Sequence, residues 1–367
     1  MDTLKAIVVD DTIVYRKIVS DVLKEIPGVE VVAAAFNGKI ALSKIATLKP
    51  DFITLDIEMP DVNGIEVLQA LKSQENAPVV IMLSTLTHEG GEMTMKALEL
   101  GAFDFVPKPD QGTMAENLEK VKKAITPIID TLKKQRRRKL QPGLRSAART
   151  TAKPLLRKPS TDNSPAASPQ RVIRKSKSEI IGIGISTGGP NALTKMIPML
   201  PAELKVPVLI VQHMPPIFTA SLAKSLGSKS KLEVKEAADG DTLEPGKIFI
   251  APGGKQMKIV AGADGITRKI KITDDPPENS CKPSVDYLFR SIAQHYVGRS
   301  TGVIMTGMGS DGTKGLVQMK NNGSTIIAQN EETCTVYGMP KEPVESGTAD
   351  IVVPLENIAL EIVKTVT

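Results

Sequence analysis

The stretch LKAIVVDD, residues 4–11, decides how the N-terminal half is read: a short aliphatic run stops on two adjacent acids, Asp10 and Asp11. The same pattern returns along the chain. FITL (52–55) ends on Asp56, VVIML (79–83) ends on Ser84, and FDFV (103–106) leads to Lys108. Stretches of helical period lie between these runs, at 15–25, 38–48, 64–72 and 92–100, with a last helix expected near 113–134. Buried aliphatic strands alternating with helices predict a parallel sheet covered on both faces. In such a sheet ligands gather at the carboxyl ends of the strands, where Asp10, Asp11, Asp56, Ser84 and Lys108 all fall.

A chain of 367 residues is long for one core and suits two domains. With aromatics at 3% and no Trp, its cores must be aliphatic. Of the net charge of +6, residues 133–178 hold +14, so the remainder is net −8. This segment is rich in Pro, Ser, Ala, Lys and Arg without apolar periodicity, and reads as a basic flexible linker. Its charge alone is no argument for nucleic acid, because the parts that fold are acidic. Cys281 and Cys334 make neither a disulfide framework nor a metal-type spacing, which suits a reducing cytoplasm. No signal-peptide pattern opens the sequence, and no apolar run approaches the roughly 20 residues of a membrane span, so no membrane insertion is expected.

From Glu179 the alternation resumes. IIGIGIS (180–186), VPVLIVQH (206–213), KIFIAP (247–252), TGVIMTG (301–307) and STIIAQ (324–329) read as strands of a second α/β domain. The expected division is 1–132, 133–178 and 179–367.

Two constellations carry chemistry. In the first, three carboxylates gathered at strand ends repel one another unless a hard cation sits among them, and Mg²⁺ suits such oxygen ligands. A carboxylate so screened can attack a phosphoryl group, with Lys108 and the Ser84 hydroxyl reading its oxygens. One strand-end acid alone is an ordinary solvated loop residue; several suitable side chains at once argue for a pocket. In the second, Ser186 ends a strand before Thr187-Gly188-Gly189-Pro190, with Asn191 placed to cap the following helix. His213 ends the next strand, and Asp311 follows a third in MTGMGSDG (305–312). A serine needs a base, and the base an orienting carboxylate, so Ser186, His213 and Asp311 make a candidate triad. A packed strand-end histidine is the plainer alternative for His213. Gly182-x-Gly184-x-x-x-Gly188 also invites a dinucleotide reading, but its third glycine is displaced and Gln212-His213 stands where the ribose-binding acid belongs.

VVDD (8–11), TLDIEMPDVNG (54–64), MLST (82–85) and ALELGAFDFVPKP (97–109) resemble the receiver domain of two-component response regulators. That resemblance implies a flavodoxin-like, five-stranded parallel domain with Asp56 as phosphoacceptor, Ser84 and Lys108 as switch residues, and Mg²⁺ held by Asp10, Asp11, Asp56 and the Glu58 carbonyl. GISTGGP (184–190), VQHMP (211–215), IAPGG (250–254), PSVDYLF (283–289), TGMGSDG (306–312) and VYGMPKE (336–342) look like the catalytic domain of chemotaxis protein-glutamate methylesterases. The resemblance implies a doubly wound, mostly parallel α/β hydrolase-type domain with Ser186 as nucleophile, His213 as base, Asp311 as orienter and the Met308 amide as an oxyanion donor, with no cofactor for ester hydrolysis. It implies hydrolysis of glutamate methyl esters and deamidation of glutamines on chemoreceptor cytoplasmic domains, and a sensor histidine kinase as phosphodonor. Gln256 and Cys281 stand where this family often has histidine. A receiver driving DNA binding is the rival class, but no helix-turn-helix is recognisable.

Overall fold

The computed structural model describes residues 3–140 and 176–367, with the side chains of 138–140 undescribed. In the N-terminal domain, β1 (Leu4–Val9), β2 (Val29–Ala35), β3 (Phe52–Asp56), β4 (Val79–Ser84) and β5 (Asp104–Pro107) form one parallel sheet in the order β2-β1-β3-β4-β5. The period of two along β1 divides its side chains between two cores. Ile7 and Val9 pack with α2 (Gly38–Leu48), α3 (Gly64–Lys72) and α4 (His88–Glu99). Leu4, Ala6 and Val8 pack with α1 (Ile13–Glu25) and α5 (Met114–Leu140).

The end of α5 corrects one expected boundary. Residues 133–140, read as the start of the linker, are helical. Tertiary contacts hold that extra length: Gln135 donates to the Thr335 carbonyl of the second domain, and Arg136 pairs with Asp51 at 2.8 Å. Residues 176–178 are likewise tied down, Ser178 N–H donating to Thr365 O at 2.8 Å. The rest of the expected linker, 141–175, lies outside the described residues.

The C-terminal domain is a seven-stranded parallel sheet. Its strands are β6 (Ile180–Ile185), β7 (Val208–Gln212), β8 (Glu233–Glu236), β9 (Lys247–Ile250), β12 (Ser300–Ile304), β13 (Thr325–Gln329) and β14 (Ile351–Val353), in the order β14-β13-β12-β6-β7-β9-β8. One face carries α6 (Gly189–Met196), α7 (Phe218–Gly227) and α11 (Leu355–Val366), packed on Ile181, Ile183 and Ile185. The other carries α8 (Val285–His295), α9 (Thr313–Asn321) and the antiparallel pair β10 (Gln256–Ala261) and β11 (Arg268–Thr273). Gly182 and Gly184 point at this second face from inside β6: a Cβ on Gly182 would meet Ile292 at 2.5 Å, and one on Gly184 would meet Val285 at 2.3 Å. These glycines admit α8 to the sheet, so their spacing is packing and not a phosphate loop.

The domains meet through α4 and β5 against α6 and α7. Phe105 and Phe218 lie with ring centroids 4.5 Å apart, and Lys224 and Lys229 pair with Glu92 and Glu99. Asn191, expected as a helix cap, lies inside α6 and donates to the Ala102 carbonyl across the interface at 3.3 Å. Gly188, at φ 76°, is the residue before the helix, a left-handed backbone suited to glycine. Among the described residues no helix is long and apolar enough to cross a membrane.

Candidate active site and phosphoacceptor pocket

Parallel register brings the N-terminal acids together. Val9 pairs with Leu55, so Asp10 and Asp56 are the next step along adjacent strands. Lys108 reaches both, 2.8 Å from Asp10 and 2.6 Å from Asp56. Burial raises the Asp10 carboxyl and pushes Asp56 up to about 6, against the pull of Lys108. Carboxylate oxygens of Asp10, Asp11 and Asp56 lie within 4.8 Å of one another. Three acids against one lysine leave an excess of negative charge in a largely desolvated pocket, a donor set that fits a small divalent cation such as Mg²⁺. Glu58 lines the same cleft with Asp11, Met59 and Asn63. Ser84 ends β4, but its hydroxyl is turned toward α4, 2.6 Å from Thr94 Oγ1 and 3.2 Å from the Gly90 carbonyl.

The second site lies where the strand order reverses. The chain runs outward from β6 through β7 and returns to place β12 on the opposite side of β6, so the crevice opens at the carboxyl end of β6. Ser186 follows β6, His213 follows β7 and Asp311 lies in the loop after β12. Ile185 pairs with Gln212, which makes Ser186 and His213 successive in register on adjacent strands. His213 Nε2 is 2.8 Å from Asp311 Oδ2, which leaves Nδ1 to other partners. Burial alone would lower the imidazole pKa; the Asp311 hydrogen bond and the Cys281 thiol outweigh it and push it up to about 9.

Asp311 is held from all sides. It accepts from Val285 N–H at 2.7 Å, Asp286 N–H at 3.2 Å, Ser284 Oγ at 2.9 Å and Asn279 Nδ2 at 3.0 Å. The first two are unpaired donors of the α8 N-terminus, where negative charge is favoured. Against burial, the His213 contact and these donors bring its pKa down to about 2. Met308 follows Gly307 in the loop after β12 and lines a cleft with Gly309, Tyr337 and α5. Gly307 sits against Ser186: a Cβ there would meet Ser186 Cβ at 2.7 Å. The remaining histidines stand apart, His88 exposed at the start of α4 and His295 at the end of α8.

Several contributors escaped the sequence reading. Asn279 and Cys281 belong to an irregular loop that reaches the site only through tertiary contact, and Cys281 Sγ lies 3.7 Å from His213 Nδ1. Gln256 is buried and organises that loop, donating to Pro276 O and accepting from Ser284 N–H at 2.8 Å. Ser284 had an available signal, since it stands as N-cap before the apolar rhythm of VDYLF. Across the interface lies Asp104, pushed up to about 6 by burial against the pull of the Phe105 N–H and of Thr187, the residue after Ser186.

A receiver sheet with a charged strand-end pocket, joined to a doubly wound domain with Ser, His and Asp at its switch point, defines a response regulator with an enzymatic output domain. Comparison with known proteins agrees. Residues 6–119 match the response regulator receiver domain, and residues 181–362 match the CheB methylesterase family. A protein-glutamate methylesterase/protein-glutamine glutaminase of Desulfotalea psychrophila is 57% identical over 371 residues, covering 100% of this chain and 99% of its own length. One from Bacillus subtilis is 43% identical, covering 99% and 98%. The crystal structure of the Thermotoga maritima CheB methylesterase catalytic domain is 42% identical over 52% of this chain and 99% of its own, with a TM-score of 0.50. The chain belongs to the protein-glutamate methylesterase/protein-glutamine glutaminase family.

Proposed function

We propose that this protein is a phosphorylation-controlled serine hydrolase that removes methyl groups from glutamate γ-methyl esters on chemoreceptor cytoplasmic helices and deamidates receptor glutamines. The observation that carries the reading is the His213–Asp311 contact at the switch point, one register step from Ser186. Ser186 Oγ attacks the ester carbonyl while His213 Nδ1 takes its proton, and Asp311 steadies the imidazolium. The oxyanion is received by the Met308 N–H. The C–O bond to methoxide breaks, His213 returns the proton, and methanol leaves. Water, deprotonated by the same imidazole, then cleaves the acyl-enzyme and regenerates Ser186. With a γ-carboxamide the same route releases ammonia.

The receiver governs access. Asp56 accepts a phosphoryl group from a sensor histidine kinase; Asp10, Asp11, Asp56 and the Glu58 carbonyl would hold Mg²⁺, which would supply charge neutralisation for that transfer. Lys108 then pairs with the new phosphate, and Ser84 turns from Thr94 toward it, loosening α4 from α7. In the unphosphorylated chain, contacts of Asp104 with Thr187 and Gln135 with Thr335 keep the receiver over the serine. The reading implies a cytoplasmic protein working on the inner portions of receptors.

Methanol release from methylated receptor membranes, with and without a small-molecule phosphodonor, tests enzyme and control together. Ser186→Ala is expected to abolish release while still accepting phosphate; undiminished release sinks the nucleophile assignment. Asp56→Asn is expected to keep the basal rate and lose the rise, and a wild-type response would remove Asp56 as the switch.

A further inference from the structure

Cys281 comes from the loop before α8, and its thiol meets the imidazole nitrogen that Asp311 does not engage. The Sγ to Nδ1 separation is 3.7 Å. Zinc binds thiolate sulfur at about 2.3 Å and imidazole nitrogen at about 2.0–2.1 Å. A metal at those distances from both atoms subtends an angle of roughly 115°, close to tetrahedral. The other ring nitrogen is already engaged by Asp311 Oδ2 at 2.8 Å. This is the carboxylate–histidine arrangement that orients a metal-binding imidazole and places its proton on the far nitrogen. Asp311 itself is saturated by the α8 N–H groups, Ser284 and Asn279, so it serves as the outer partner and not as a ligand. His213 is 15% exposed in its side chain, and Cys281 is partly exposed, so water can fill the remaining coordination positions.

We infer that Cys281 Sγ and His213 Nδ1 form a binding site for a soft divalent cation of the Zn²⁺ class, whose occupation takes the base nitrogen and silences the hydrolase. Binding rests on the geometry alone; silencing rests additionally on His213 being the base. With two protein ligands, the affinity expected is roughly micromolar, well short of a four-ligand structural site. Metal here requires no phosphate chemistry and is separate from the all-oxygen pocket at Asp56, which lacks sulfur and suits harder ions.

The test uses the full chain and Cd²⁺ as a spectroscopic stand-in for Zn²⁺. Titration is expected to produce a thiolate-to-metal charge-transfer band in the mid-ultraviolet, saturating at one metal per chain and reversed by a chelator. The band should survive in Cys334→Ser and disappear in Cys281→Ser. Cys334 is a suitable control because burial pushes its thiol up to about 12. In parallel, Zn²⁺ should inhibit methyl ester hydrolysis by wild type and Cys334→Ser, while Cys281→Ser, measured against its own metal-free rate, needs at least about tenfold more metal. A band that persists in Cys281→Ser, or equal Zn²⁺ sensitivity of all three proteins, overturns the site. A Cys281-dependent band with no inhibition supports the site and removes His213 as the base instead.

Discussion

At the scale of single residues the proposed mechanism depends on how one imidazole is held. A base must be neutral to accept a proton, and the surroundings of His213 push its pKa up to about 9. Ester hydrolysis is therefore expected to rise with pH from neutrality and level off above about 9, in a profile of kcat/KM against pH. Asp311→Asn removes the carboxylate that supports the imidazolium and sets the tautomer. The loss expected in kcat is about 10³–10⁴-fold. The residual profile should also shift to lower pH, because burial then acts on the ring with less opposition. A profile unmoved by that substitution would separate Asp311 from the base. The side-chain cap of α8 is Ser284, which accepts from Tyr287 N–H and is untouched by the substitution, so the kinetic effect is read apart from unfolding.

At the scale of elements, the same logic that positions Ser186 and Asp56 also made them legible. Each stands at the end of a fully buried aliphatic strand, and such runs announce themselves by composition. β2 did not: most of VEVVAAA is only half-buried at the edge of its sheet, and no chemistry-bearing residue ends it. β10 and β11 form a surface hairpin rich in lysine, whose pairing partner is visible only in three dimensions. Asn279 and Cys281 were hidden for a similar reason, since nothing local binds an irregular loop to a histidine 68 residues away. The domain interface was not legible at all, yet it contains a testable weak point. Gly91 of α4 lies so close to α7 that a Cβ would meet Ser221 Oγ at 2.5 Å. Gly91→Leu suits the helix better, by about 0.8–1 kcal/mol of intrinsic propensity, so the receiver itself should not lose stability. The added side chain instead wedges α4 from α7, with overpacking of about 1–3 kcal/mol borne by the docked arrangement. Hydrolysis without phosphodonor is expected to rise roughly 5–150-fold, up to the rate of the fully open enzyme. An unchanged basal rate with an intact receiver would show that α4 and α7 do not restrain the site.

At the scale of the whole molecule, two sites communicate only if both bias one equilibrium, which in the proposed control lies between docked and undocked domains. The contacts across the interface run from β5 and α5 of the receiver to Thr187 and Thr335, with the Phe105–Phe218 pair among them. Coupling of this kind is reciprocal: whatever opens the hydrolase must make the phosphoacceptor pocket bind its activating ligand more tightly, by the same factor. Beryllofluoride, a noncovalent stand-in for an aspartyl phosphate, makes this measurable as an affinity. If it binds the undocked state alone, its apparent affinity scales with the undocked fraction, and so does basal hydrolysis. While the docked state still dominates, Gly91→Leu should therefore bind beryllofluoride tighter than wild type by the same fold that it raises the basal rate. Gly91 faces Ser221 of α7, while its neighbours Glu89 and Met93 line the cleft of Asp11 and Glu58, so a matched fold in both measurements, and not tighter binding alone, identifies the docking equilibrium. A raised basal rate with an unaltered beryllofluoride affinity would mean that docking shields Ser186 but is not the equilibrium that Asp56 controls.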